Sequence, residues 1–248
     1  MILETQAVSR RFGGLHALSD VSFHVEEGSI TGVIGPNGAG KTTLINVITG
    51  FLGPSSGRVL VEGQDVTGAK PWKIAHLGVS RTFQVVKPFR DLSVRENVAI
   101  GGMFGPRGAR SLARSLRRAD EVLERVGLGG KIHAMARDLS VAEAKRLELA
   151  RALAMGPALL LLDEVMAGLR PQEIDRAVDL VRSLRDEGIT IVAIEHVMKA
   201  IMAVSDHILV LHQGRTLAWG RPDEVAGDER VISAYLGERY ARRTSEQG

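Results

Sequence analysis

Gly35-Pro36-Asn37-Gly38-Ala39-Gly40-Lys41-Thr42 decides how this chain folds. The octet fits G-x-x-x-x-G-K-[ST], a loop built to hold phosphate. The apolar, β-branched run from Ser29 to Ile34 precedes it and reads as a buried strand. Leu44, Ile45, Val47 and Ile48 follow at helical spacing. Strand, loop and helix in that order are the context the motif requires. Its glycines let backbone N–H groups turn inward around a triphosphate, and the helix N-terminus favours the negative charge. Lys41 is expected to reach the β- and γ-phosphates, and the Thr42 hydroxyl to ligate Mg2+. The motif predicts a nucleoside-triphosphate fold without saying which one.

Outward from the loop, short apolar runs alternate with helical patterns. This predicts an α/β fold with a mostly parallel sheet. Leu159 to Leu162 and Ile189 to Ile194 read as buried strands, ending in Asp163-Glu164 and Glu195-His196. His207 to Leu211 reads as a further strand, closed by the turn-like Gln213-Gly214. Ile174, Val178, Val181 and Leu184 mark one face of a helix that Pro171 opens. Residues 85–155 are mostly helical in pattern and interrupt the strand series, which predicts a helical subdomain inserted into one domain spanning 1–248. Residues 222–248 form a C-terminal extension.

The chain has 248 residues, 44% apolar and 25% charged, so it can bury a sizeable core without staples. It contains no cysteine, which removes disulfides and thiolate metal sites. Net charge is +3, from 32 basic and 29 acidic residues, too balanced to point to nucleic acid. No apolar run approaches the ~20 residues of a membrane-spanning helix, so any membrane part is expected on other chains. The arginine-rich segment 107–118 reads first as a solvated helix face or loop, and secondarily as a contact for a partner or for lipid phosphates.

Further features fall in a fixed order. Phe12, one of ten aromatic residues, precedes the first β-region. Gln84 ends Arg81-Thr82-Phe83-Gln84, between the loop's domain and the helical middle. In Leu139-Ser140-Val141-Ala142-Glu143, Ser140 and Glu143 form a capping box opening a helix that runs through Arg151. Leu159-Leu160-Leu161-Leu162-Asp163-Glu164, Ala167-Gly168-Leu169-Arg170 and His196 complete the series.

This series resembles the ATP-binding cassette ATPases over nearly the whole chain. The resemblance implies a P-loop (RecA-like) core with an N-terminal antiparallel β region. ATP would be held by Phe12, stacked on adenine, and by Gly35, Pro36, Asn37, Gly38, Ala39, Gly40, Lys41, Thr42 and Thr43. Mg2+ would be held by Thr42, Gln84 and Asp163. Glu164 would act as general base, with Gln84 and His196 placing the attacking water. Ser140, in the position of the LSGGQ signature, would meet the ATP of a partner cassette. The signature departs from that pattern at both glycines and the glutamine, and Glu143 adds a negative charge unless the cap occupies it. Arg170 stands where the family often has Asp or Asn. A complete set of own-site residues beside a degenerate signature predicts unequal sites in a heteromeric pair.

NVITGFLGPSSG, SRTFQVVKPFRDLSVRENV, LLLLDEVMAGLRPQEID, IEHVMKAIMAVSDHILVLHQG and VISAYLG further resemble the LivG-type subunit of branched-chain amino-acid importers. That resemblance implies a peripheral protein on the cytoplasmic face of the inner membrane. Its partners would be two transmembrane permease subunits, a second cassette or a second copy head to tail, and indirectly a periplasmic solute-binding protein. No nucleic acid is expected. Related importers carry urea, amides or aromatic acids. Two readings compete: a soluble cassette ATPase acting on nucleic acid or ribosomes, and an ATP-gated scaffold without turnover.

Overall fold

A computed structural model describes residues 1–106 and 111–235. Residues 107–110 of the arginine-rich segment and 236–248 of the C-terminal extension lie outside the described residues. The chain opens with β1 (Leu3–Phe12), β2 (Leu15–Val25), β3 (Ile30–Ile34) and α1 (Lys41–Ile48). It continues through β4 (Ser56–Val61), β5 (Gln64–Asp65), α2 (Pro71–His76) and β6 (Val79–Arg81). The helices α3 (Val94–Met103), α4 (Leu112–Arg125) and α5 (Val141–Ala154) follow. Then come β7 (Leu159–Asp163), α6 (Pro171–Asp186), β8 (Thr190–Ile194), α7 (Met198–Val204), β9 (His207–His212), β10 (Arg215–Gly220) and α8 (Pro222–Gly227).

The strands form two sheets, an antiparallel one of order β2-β1-β4-β5 and a larger one of order β10-β9-β3-β8-β7-β6. The larger sheet is parallel except at its β10 edge. Every residue of β3, β7 and β8 is buried, because helices cover one face of a parallel sheet and further structure covers the other. Alternation along these strands splits the core. Ile30, Ile34, Leu160, Leu162, Ile191 and Ala193 pack with α3, α4, α5 and α6. Val33, Leu159, Leu161, Val192 and Ile194 pack with α1 and the antiparallel sheet.

Parallel register decides where the chemistry gathers. Val33 pairs with Ile194, Ile194 with Asp163, and Leu161 with Arg81. The segments leaving β3, β8, β7 and β6 therefore emerge along one edge of the sheet, where parallel α/β folds hold ligands.

One placement differs from the expectation. Phe12 ends β1 instead of preceding the first β-region, and it pairs with Leu15 at the tip of a hairpin. The arginines of the sequence Arg10-Arg11 hid a strand because only Leu3, Thr5, Val8 and Ser9 of its interior face inward. Among the described residues, no helix is long and apolar enough to cross a membrane.

Candidate functional site

The glycine loop leaves the buried end of β3, and α1 begins at Lys41. Its conformation requires glycine at two points. Gly35 has φ +151°, and a Cβ there would lie 2.1 Å from the Leu211 carbonyl oxygen. Gly40 has φ +104°, and a Cβ there would lie 2.6 Å from the Ala17 carbonyl oxygen on β2. The loop is thus wedged between β9 and the N-terminal hairpin, and its path is fixed by backbone contacts. Asn37 and Gly38 are exposed at the crest, while the Lys41 ammonium lies buried beneath it. That ammonium donates to the carbonyls of Gly35 at 2.5 Å and Pro36 at 2.9 Å. Thr42 is exposed and Thr43 half-buried on the first turn of α1.

Across the sheet edge, three residues far apart in sequence meet. The Gln84 amide donates to one oxygen of Glu164 at 2.7 Å, and Nε2 of His196 lies 2.5 Å from the other. Glu164 carries a left-handed backbone, φ 54°, an arrangement a non-glycine residue holds only under constraint. The constraint is visible: its N–H donates to the Ile194 carbonyl at 2.9 Å, and its own carbonyl accepts from the Lys145 ammonium at 3.1 Å.

Asp163, the last residue of β7, is 2% exposed. Its N–H donates to the Thr82 hydroxyl at 3.0 Å. One carboxylate oxygen pairs with Arg81 at 3.2 Å. The other is buried without a hydrogen-bond partner among the described residues. Burial pushes the Asp163 carboxyl above its ordinary range, against the pull of Arg81. Arg81 also donates to Asn46 at 2.7 Å and lies over the Phe83 ring at 4.6 Å. Thr42, Asn46, Arg81, Gln84, Glu148 and Asp163 share one cleft of about 470 Å³.

Ser140 caps α5 as its sequence predicts. Its hydroxyl accepts from the Glu143 N–H at 3.3 Å, and the Glu143 carboxylate accepts from the Ser140 N–H and hydroxyl, both at 2.9 Å. Lys131 pairs with the same carboxylate at 3.2 Å. The Ser140 N–H and hydroxyl, followed by Lys131, hold Glu143 below the usual carboxylate range. The negative charge that the departure from glutamine introduces is therefore tied up in the cap. Val141 is exposed beside it. The Phe12 ring is 44% exposed, with the Arg10 guanidinium 4.7 Å from its centroid.

Several residues at this edge carry no sequence signal. Arg81 is an ordinary strand-end arginine until the fold places it on Asp163. Lys145 is one of many helix cations until its reach to the turn after β7 is seen. Glu195 sits among apolar residues, is 1% exposed, and accepts from the Met166 N–H at 2.8 Å. Burial raises its carboxyl from 4.5 to about 7. Only the adjacent His196 could have drawn attention to it.

These observations fit a magnesium nucleotide. The loop follows a path that a Cβ at Gly35 or Gly40 would push off the flanking backbone, and the unpartnered oxygen of Asp163 suits a hydrated hard cation in the same cleft as Thr42. Fold and site together define a nucleotide-binding P-loop protein.

Comparison with known proteins narrows that class. Residues 18–167 match the family described as ABC transporter, and residues 215–241 match that described as branched-chain amino acid ATP-binding cassette transporter. The chain is 40% identical over 250 residues to the high-affinity branched-chain amino acid transport ATP-binding protein BraF of Pseudomonas aeruginosa, covering 96% of this chain and 98% of that one. The same figures relate it to the LivG protein of that description from Escherichia coli. Among solved structures, the ADP conformation of an ATP-binding cassette of an ABC transporter superposes with a TM-score of 0.85 at 35% identity, covering 95% of this chain and 98% of that one. The chain belongs to the ABC transporter family, as an ATP-binding cassette ATPase.

Proposed function

We propose that this chain hydrolyses ATP to drive an importer for amino acids with branched aliphatic side chains, working at the cytoplasmic face of the inner membrane. The permease would be two separate membrane subunits, served by a periplasmic solute-binding protein. The hydrolytic reading rests on one observation: Glu164 is held on both oxygens, by Gln84 and His196, and Gln84 lines the same cleft as Thr42 and Asp163. The solute class rests on the 40% identity to transport proteins of that description over nearly the whole chain.

The residues divide the work as follows. The N–H groups of the loop after Pro36, from Asn37 to Thr43, and the Lys41 ammonium bind the phosphates, and Phe12 offers its exposed face to adenine. Thr42, Asp163 and Gln84 would hold Mg2+, whose chemistry is to neutralise charge on the β- and γ-oxygens. Glu164 accepts a proton from the attacking water, while Gln84 and His196 orient carboxylate and water in line with the γ-phosphorus. Catalysis here is positioning and charge stabilisation, with no covalent intermediate. A head-to-tail pair with a second cassette, or a second copy, would bring Ser140 and the N-terminus of α5 to the partner's nucleotide. Val141 and Ala142 supply less close approach there than glycine would.

The test is Glu164→Gln in the membrane complex purified through a tag on this chain. ATP binding should persist, hydrolysis should fall at least about a hundredfold, and a multi-span protein and a second cassette should co-purify. Hydrolysis at the wild-type rate would remove Glu164 as the base. Recovery of the chain with ribosomes or nucleic acid alone would replace the importer with a soluble ATPase.

A further inference from the structure

We infer that Lys145 is a positioning residue for Glu164, tying the helix that faces the partner's ATP to the carboxylate that acts on this chain's own ATP. The inference rests on the assignment of Glu164 above and adds a residue outside the phosphate loop, the cleft ligands and the Gln84–Glu164–His196 group.

Lys145 lies on the second turn of α5, five residues after its cap Ser140. Its ammonium donates to the Glu164 carbonyl at 3.1 Å and to the Ala167 carbonyl. Those two carbonyls bracket the turn that follows β7, the turn in which Glu164 adopts φ 54°. A backbone in that region relaxes unless its surroundings over-determine it. Here three fastenings do so. The Glu164 N–H is bound to Ile194, the Met166 N–H to the Glu195 carboxylate, and the Glu164 and Ala167 carbonyls to Lys145. Only the last comes from a helix outside the sheet. A charged donor on two carbonyls is a strong fastening. Burial lowers the Lys145 pKa while the charges of Glu195 and Glu164 support its protonated form.

The same face of α5 grips the other side of the site. Glu148 and Arg151 pair at 2.8 Å, and Arg151 donates to the Lys87 carbonyl at 3.3 Å, beyond Gln84 in the chain. Displacing α5 along or about its axis therefore drags the turn that carries Glu164, and the segment that carries Gln84. The partner's nucleotide, by contacting Ser140 at the start of α5, acts on own-site geometry through Lys145. Because a misplacement of about 1 Å suffices to cost on the order of a hundredfold in rate, loss of this tie should show in turnover before it shows in nucleotide affinity.

The experiment exploits the absence of cysteine. The Lys145→Cys chain is alkylated with 2-bromoethylamine, which restores an ammonium of lysine's length, or capped with iodoacetamide, and each product is reconstituted with the membrane subunits. ATP binding and hydrolysis are measured beside Lys145→Arg and Glu164→Gln. The expected result is a fall in kcat of about tenfold or more with KM changed less than about twofold. Aminoethylation should recover most of the rate, Lys145→Arg part of it, and the iodoacetamide cap none. Wild-type kcat in folded, ATP-binding Lys145→Cys overturns the inference, as does a rate lost and not recovered by the aminoethyl group. Wild-type hydrolysis by Glu164→Gln would instead overturn the assignment of the base, so the two failures are distinct.

Discussion

Glu195 turns burial into a pH dependence that can be measured. Its carboxyl, 1% exposed, is raised by burial from 4.5 to about 7. The difference corresponds to about 3 kcal/mol. The folded chain binds this proton more tightly than the unfolded chain, so the stabilisation is complete below about 4.5 and is lost as pH rises through about 7. Above that, the folded chain carries a buried carboxylate with one oxygen on the Met166 N–H and the other unpartnered among the described residues. Glu195→Gln keeps an acceptor for Met166 and removes the charge. Its new amide donor would lie where the unpartnered oxygen lies, which costs about 1 kcal/mol. The variant is therefore expected to be more stable than the parent by about 2 kcal/mol at pH 8, and equal or slightly less stable at pH 5. Urea unfolding followed by circular dichroism at both pH values gives the four free energies required. Parallel loss of stability by both chains between pH 5 and pH 8 would refute the reasoning, because the titrating group would then lie elsewhere.

Gly40→Ala should destabilise the chain by about 1–3 kcal/mol and abolish ATP binding, since a Cβ at φ +104° meets the Ala17 carbonyl at 2.6 Å. Thermal unfolding with and without ATP reads both effects, and an alanine variant that binds ATP normally would contradict the wedge between hairpin and loop. Leu147→Ala, fully buried on α5 among Val94, Val98 and Leu123, should cost about 2–5 kcal/mol by urea unfolding. A change below about 1 kcal/mol would mean that the site collapses to fill the cavity.

Much of this molecule is readable from local pattern. The phosphate loop carries its own signature because the backbone there admits only glycine at Gly35 and Gly40, and because strand and helix flank it. The capping box at Ser140–Glu143 is equally local, two residues three positions apart that satisfy one another. The buried strands announce themselves because parallel strands covered on both faces leave no polar alternation. β1 is less legible: its outward face carries Gln6, Arg10 and Arg11, and its register shifts break the period of two, so the residue pattern alone sets Phe12 ahead of the β-region, whereas the strand ends on it.

The α/β class, the phosphate loop, the cap on α5 and the family are legible from the residues alone, because each is written in contiguous residues whose spacing reflects hydrogen bonds to near neighbours. It takes the folded chain to bring Gln84 and His196 onto Glu164, Arg81 onto Asp163, Lys145 to the turn after β7, and Glu195 into the core. Those relations join segments from 19 to 82 residues apart, and they exist because four parallel strands end at one edge of one sheet. A charged residue's environment is a property of that edge. Burial and a partner's approach set it, and neither leaves a mark on the neighbouring letters.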